Sequence, residues 1–150
     1  MSASESSAAP KIVVGIDGSP PSVTALRWAL RQAELTGSDI DAVSAWQFPA
    51  TAGAYGWASY SGFDNIDFEA LTAKALSAVI EQVSPPASIA VRQLVVEGNP
   101  AQVLLDASVG ADLLVVGNRG HGAFADALLG SVSERCIRHA RVPVLVVHST

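Results

Sequence analysis

Short β-branched runs alternate with stretches of helical spacing along this chain, a pattern that predicts strand–helix units and no hairpins. KIVVGID at 11–17 reads as a first strand stopped by Asp17-Gly18. Ser19-Pro20 offers a cap and a proline for a first helical position. Val23, Leu26, Leu30 and Ala33 then follow helical spacing up to Gly37. Strand character returns over 39–47 (DIDAVSAWQ), and 66–83 resume helical spacing through Ile66, Ala70, Ala73, Leu76 and Ile80. Ser84-Pro85-Pro86 ends that helix. IAVRQLVVEG at 89–98 predicts a third strand, and Asn99-Pro100 caps a third helix carrying Val103, Leu104 and Ala107, closed by Gly110. ADLLVVGN at 111–118 has the unbroken apolar run of a strand buried on both faces. A helix over 131–140 and a last strand, VPVLVVHS at 142–149, complete the series.

This alternation implies a doubly wound α/β fold, a five-stranded parallel sheet with right-handed crossovers and helices on both faces. Ligands of such sheets bind beyond the carboxyl ends of the strands, where the strand order reverses. The first and fourth strands both end in polar, glycine-containing turns. The crevice is therefore expected between them.

Composition narrows this picture. Hydrophobic residues make up 49% of the chain and charged ones 15%, which fits a well-filled core. A single domain is expected over 11–150, with 1–10 (MSASESSAAP) as a disordered lead-in. The segment 48–64 departs from the rest, rich in glycine and serine and carrying Phe48, Tyr55, Trp57, Tyr60 and Phe63. It reads as a lid, as a contact for a partner subunit, or as packing for the second helix. The net charge of −5 leaves no footprint for duplex nucleic acid. Lys11 and Lys74 are the only lysines. A phosphate ligand would thus be held by backbone N–H groups, hydroxyls, arginine or a metal. The single cysteine, Cys136, excludes an internal disulfide and fits a reducing compartment. No signal-peptide pattern and no apolar run near the ~20 residues of a membrane helix occurs. A cytoplasmic protein without membrane attachment is expected.

The candidate chemistry lies after the fourth strand, in Gly117-Asn118-Arg119-Gly120-His121-Gly122 and, further on, Gly130-Ser131. Glycines let backbone approach an anion and adopt positive φ. A helix beginning at Ser131 would aim N–H groups and the positive end of its dipole at the same point. The bland alternative needs no ligand, because Ser131 and Glu134 have capping-box spacing and the glycines serve as loop punctuation. Asp17 likewise reads on its own as an Asx-type cap. His121 is more simply structural or solvated, and His139 suits a helix C-terminus. Cys136 falls on an apolar helix face and reads as core. There is no metal-spaced Cys/His cluster, no G-x-S-x-G elbow and no lysine in the glycine loop.

Three segments, VVGIDGS at 13–19, Gly117-x2-Gly120-x9-Gly130-Ser131 and VPVLVVH at 142–148, carry a resemblance to the universal stress protein family, in its ATP-binding branch. The resemblance implies strand order 3-2-1-4-5 and an ATP site across the ends of strands one and four. Gly15 and Ile16 would wall the pocket, and adenine would lie near Ala45. Asp17 would contact ribose or a magnesium ion carried by the nucleotide. Gly117, Gly120, Gly130, Ser131 and Val132 would hold ribose and phosphates, with Val116 and Ser133 completing the set. Asn118-Arg119 departs from commoner versions of the loop, and Arg119 would either pair with a phosphate or face solvent. A homodimer through antiparallel pairing of strand 142–148 is also implied.

These readings combine into an ATP-binding sensor or regulator in a stress response, expected not to be a dedicated enzyme. Alternatives are a dimeric interaction module with an empty or degenerate site, a slow ATPase, and a binder of another adenine nucleotide such as a cyclic one.

Overall fold

Val13 and Val14 are neighbours in sequence, point to opposite sides of a strand, and are both fully buried. Such a strand needs cover on both faces, and the rest of the architecture supplies it. The computed structural model describes residues 9–48, 66–120 and 129–149. The chain runs β1 (Lys11–Gly15), α1 (Pro20–Thr36), β2 (Asp39–Trp46), α2 (Phe68–Val83), β3 (Val91–Glu97), α3 (Pro100–Ala107), β4 (Leu113–Gly117), α4 (Ser131–His139) and β5 (Val144–Val147). Every ladder is parallel and the sheet order is β3-β2-β1-β4-β5, the doubly wound topology the alternation implies.

Odd and even strand positions divide the core. Ile12, Val14, Ile40 and Ala42 meet Leu26 and Leu30 of α1 and Leu76 and Val79 of α2 on one face. Val13, Val43, Leu114 and Val116 meet Val103 and Leu104 of α3 and Cys136 of α4 on the other. Each fully buried leucine or valine stabilises this arrangement by about 1.5–3 kcal/mol.

Helix starts follow from local chemistry. Asp67 caps α2 by accepting from the Ala70 N–H at 2.9 Å. Asn99 caps α3, accepting from the N–H groups of Ala101 and Gln102. α1 begins with Pro20 and Pro21, so its first two positions have no N–H to cap. α1 ends at Gly37 in the left-handed conformation, with φ 72°. α3 stops at Ala107, short of Gly110. The Ser108 hydroxyl donates to the Leu105 carbonyl and the Ala111 N–H bonds back to Ser108, so a turn replaces the last helical residues. The strands are shorter than their apolar runs for a similar reason. Ladder pairing ceases where neighbouring strands diverge, although Ile16 still donates to Val43 O at 2.9 Å.

At the amino end of the sheet, charges neutralise one another. Asp41, buried on β2, lies directly opposite Arg92 on β3. It accepts from Arg92 Nε at 3.1 Å and Nη2 at 2.9 Å, with Lys11 Nζ at 3.4 Å. Burial alone would raise the Asp41 carboxyl, but the Arg92 guanidinium and the Lys11 ammonium outweigh it and hold the group below the ordinary aspartate value. The chain is tied to this end from Pro10 onward, whose carbonyl accepts from the Asp39 N–H at 2.8 Å. Residues 1–8 of the expected lead-in lie outside the described residues. Among the described residues, no helix is long and apolar enough to cross a membrane.

Candidate functional site

β1 and β4 are neighbours at the centre of the sheet, but the chain leaves them in opposite directions, to α1 on one face and α4 on the other. That divergence opens a gap beyond their carboxyl ends. A cavity of about 390 Å³ occupies it. β1 and its turn contribute Gly15, Ile16 and Asp17, and β2 contributes Ala45. β4 and its loop contribute Val116, Gly117, Arg119 and Gly120, and the start of α4 contributes Gly130, Ser131, Val132 and Ser133. The candidate residues named from the sequence thus share one cavity. Ser22, Val43, Pro100, Leu104 and Leu129 also line it.

The β1–α1 turn is built around Asp17. Its Oδ1 accepts from the Ser19 N–H at 2.9 Å and from the Ser19 hydroxyl, an Asx turn of the kind its position suggests. Ser19 is the N-cap of α1 but makes no side-chain cap bond, since its hydroxyl is engaged by Asp17 and the helix opens with prolines. The side chain of Asp17 is exposed and its other oxygen faces Gly120.

The described glycines of the loop do not adopt positive φ, and two of them answer a steric need within the protein. Among the described residues, positive φ at glycine occurs at Gly18, Gly37, Gly98 and Gly110, none of them in the motif. A Cβ on Gly117 would stand 2.6 Å from the Pro21 Cβ and 2.8 Å from the Pro21 carbonyl carbon. A Cβ on Gly120 would overlap the Asp17 carboxylate. Both glycines therefore let the β4 loop lie directly against the β1–α1 turn. Gly15 plays a similar part for α3, because a Cβ there would sit 2.7 Å from Leu104 Cδ1.

The N-cap of α4 has no side chain to offer its first turn. It is Gly130, not Ser131, so the Ser131–Glu134 spacing is not a capping box: Ser131 is already the first helical residue. The first helical bond of α4 runs from the Glu134 N–H to the Gly130 carbonyl at 3.0 Å. The N–H groups of Ser131, Val132 and Ser133 precede it, at the end of the helix dipole that faces the cavity. Val43, Ala45 and Leu104 line the same cavity and give it apolar surface.

Two buried serines hold the lips of this gap. Ser44 Oγ donates to the Ile16 carbonyl at 2.6 Å, just past the end of β1. Ser133 Oγ lies 3.0 Å from the Asn118 carbonyl, just past the end of β4, and 3.0 Å from the Gly130 carbonyl. Strands that diverge leave carbonyls without ladder partners; Ser44 supplies a donor to one, and Ser133 adds its hydroxyl to the Gly130 N–H at the other.

Other candidates resolve simply. Cys136 is fully buried and burial pushes its thiol up to about 11, the behaviour of a core residue. His139 is exposed in the last turn of α4 beside Arg138, where positive charge favours the helix dipole. Among the described residues, no group of three His, Cys, Asp or Glu side chains could hold a metal. Phe48 packs edge-on against Phe68 at the start of the second helix, with ring centres 5.5 Å apart. The remaining aromatics of segment 48–64, and His121, lie outside the described residues.

This architecture recurs in known proteins. The chain is 38% identical over 149 residues to the universal stress protein Rv2623 of Mycobacterium tuberculosis strain H37Rv, an alignment covering 91% of this chain and 47% of that protein. It therefore spans about half the length of the curated relatives it matches. The fold is similar to that of the universal stress protein UspA from Lactobacillus plantarum, with a TM-score of 0.75 at 20% identity over 94% of this chain and 99% of the other. A crystal structure of a universal stress protein in complex with cAMP matches at TM-score 0.63 and 29% identity, covering 96% of this chain and all of that one. The sequence pattern of the universal stress protein family matches residues 9–148. With the parallel sheet, the central crevice and the glycine loop in place, that match assigns the chain: it belongs to the universal stress protein family.

Proposed function

We propose that the crevice holds an adenine nucleotide, ATP in the first instance, and that the protein acts as a nucleotide-dependent sensor or regulator in a stress response. One observation carries this reading. The first turn of α4 lines a cavity that Val43, Ala45 and Leu104 also line, so backbone N–H groups suited to phosphate and apolar surface suited to a base share one space. At about 390 Å³ the cavity falls within the usual range for small ligands, about 300–1,000 Å³. The cAMP complex of a relative at 29% identity supports the ligand class.

Asp17 and Arg119 are the charged residues among the described lining. A lone carboxylate suits ribose hydroxyls, or a magnesium ion that keeps most of its ligands from water and phosphate oxygens. We read the site as one that holds nucleotide and does not cleave it, because the Asp17 carboxylate is engaged by the Ser19 turn. Native mass spectrometry of freshly purified protein, followed by calorimetric titration with ATP, AMP and cAMP with and without magnesium, tests the reading. Micromolar binding with negligible phosphate release supports it; no binding of any of the three overturns it.

The partner surface we favour is β5, an edge strand whose four residues, Val144–Val147, are all apolar. Such an edge pairs readily with a second copy, so a homodimer in the cytoplasm completes the proposal. Sedimentation velocity would detect it, and a monomer at all concentrations would refute it.

A further inference from the structure

We propose that Ser133 is a positioning residue for the phosphate end of the crevice, locking the first turn of α4 against the end of β4 without contacting ligand through its own hydroxyl. This rests on the nucleotide reading above. Ser133 lines the cavity, and by position it belongs with the residues that would touch phosphate. Its geometry assigns it elsewhere. The side chain is 2% exposed, and its hydroxyl lies 3.0 Å from each of two backbone carbonyls, those of Asn118 and Gly130.

The Asn118 peptide group is the anchor of this arrangement. Its N–H donates to the Val147 carbonyl of β5 at 2.8 Å, which extends the sheet by one bond. Its carbonyl accepts from the Gly130 N–H at 2.7 Å and from Ser133 Oγ. The point where the chain leaves β4 and the point where it enters α4 are thereby joined by two donors to one oxygen. Arg119 stands immediately beyond the first point and Ser131 immediately beyond the second, and both line the cavity. The hydroxyl of Ser133 thus fixes the distance and angle between the α4 N–H groups and the rest of the site. Without it, the Gly130 N–H alone would join the two points, and the first turn of α4 would be held less closely to the end of β4.

Calorimetric titration of the full chain with adenosine and with AMP, in wild type and Ser133→Ala, tests the proposal. Wild type is expected to bind AMP more tightly than adenosine. The variant should lose about tenfold in AMP affinity, the scale of one hydrogen bond, while adenosine affinity stays within about twofold. A general loosening of the fold would weaken both ligands alike, so equal losses, or no loss for AMP, overturn the assignment of Ser133 while leaving the nucleotide reading intact. Wild type that binds neither ligand overturns the nucleotide reading, and the assignment with it. If the alanine variant does not fold, Ser133→Cys, which nearly keeps the volume and weakens the donor, decides by the same titrations. A loss confined to AMP supports the lock, and equal losses or none refute it.

Discussion

The two ends of the sheet handle polar groups in opposite ways. At the amino end, Asp41, Arg92 and Lys11 answer one another across three adjacent strands. At the carboxyl end, β1 and β4 part, and the polar groups there are held in shape by turns and serines that leave a space. Within that end the two bordering helices differ again. α1 starts with two prolines, which carry no N–H, whereas α4 starts with Ser131, Val132 and Ser133, which all line the cavity and precede its first helical bond. Charge pairing and the cavity thus lie at different ends of the same strands. On the nucleotide reading proposed above, the phosphate end of the crevice lies at the start of α4 and Arg119.

The largest test of this division copies one helix start onto the other. Ser131→Pro places a proline at the first helical position, which helices tolerate, and deletes one N–H that faces the cavity. A charge-assisted hydrogen bond is worth about 1.5–3 kcal/mol, so AMP affinity measured by calorimetry should fall about 10- to 100-fold. Thermal unfolding should move little. Unchanged affinity would remove α4 from the comparison.

Next in size is Gly117→Ala, which drives a methyl group into the Pro21 backbone. Overpacking of this kind costs about 1–3 kcal/mol, read from urea unfolding. In a double-mutant cycle with Pro21→Gly, which removes the nearest atom, part of that cost should return. Additive losses would mean that the two turns do not press on each other.

At the amino end, Asp41→Asn should cost about 1–2 kcal/mol at neutral pH and leave AMP affinity unaltered. Because the folded Asp41 pKa is depressed, the stability it contributes is present above the ordinary aspartate range and disappears as pH falls through the depressed value. Unfolding free energies of wild type and variant should therefore converge on acidification. A gap that widened instead would reverse the role given to this cluster. The smallest effect is expected from Asn99→Ala, which removes the cap of α3 for about 1 kcal/mol, again measured by urea unfolding.

Much of this was legible in the residues. Adjacent valines such as Val13 and Val14 announce a strand buried on both faces, and Asn99-Pro100 announces a helix start, because both signals act within a few residues of themselves. The same locality explains what stayed hidden. Leu104 reaches the cavity from α3 by lying over Gly15, a contact across two elements that leaves no trace at either position alone. Gly117 and Gly120 read as ligand glycines, yet their immediate neighbours are Pro21 and Asp17, about a hundred residues away in sequence. Ser131 and Glu134 have the spacing of a capping box, but the helix begins one residue earlier than that pairing requires, with Gly130 as its cap. Spacing reports which residues are available; it takes the sheet to decide which face each other.

The lone thiol of the chain sits beneath α4, three residues beyond Ser133 on the helix that carries the anion-attracting end. Sealed against the sheet and kept protonated with a pKa of about 11, Cys136 is closed to alkylating reagents for as long as that helix stays seated. Its labelling rate is consequently a clock, counting how often α4 lifts from the sheet, and occupation of the crevice should slow it.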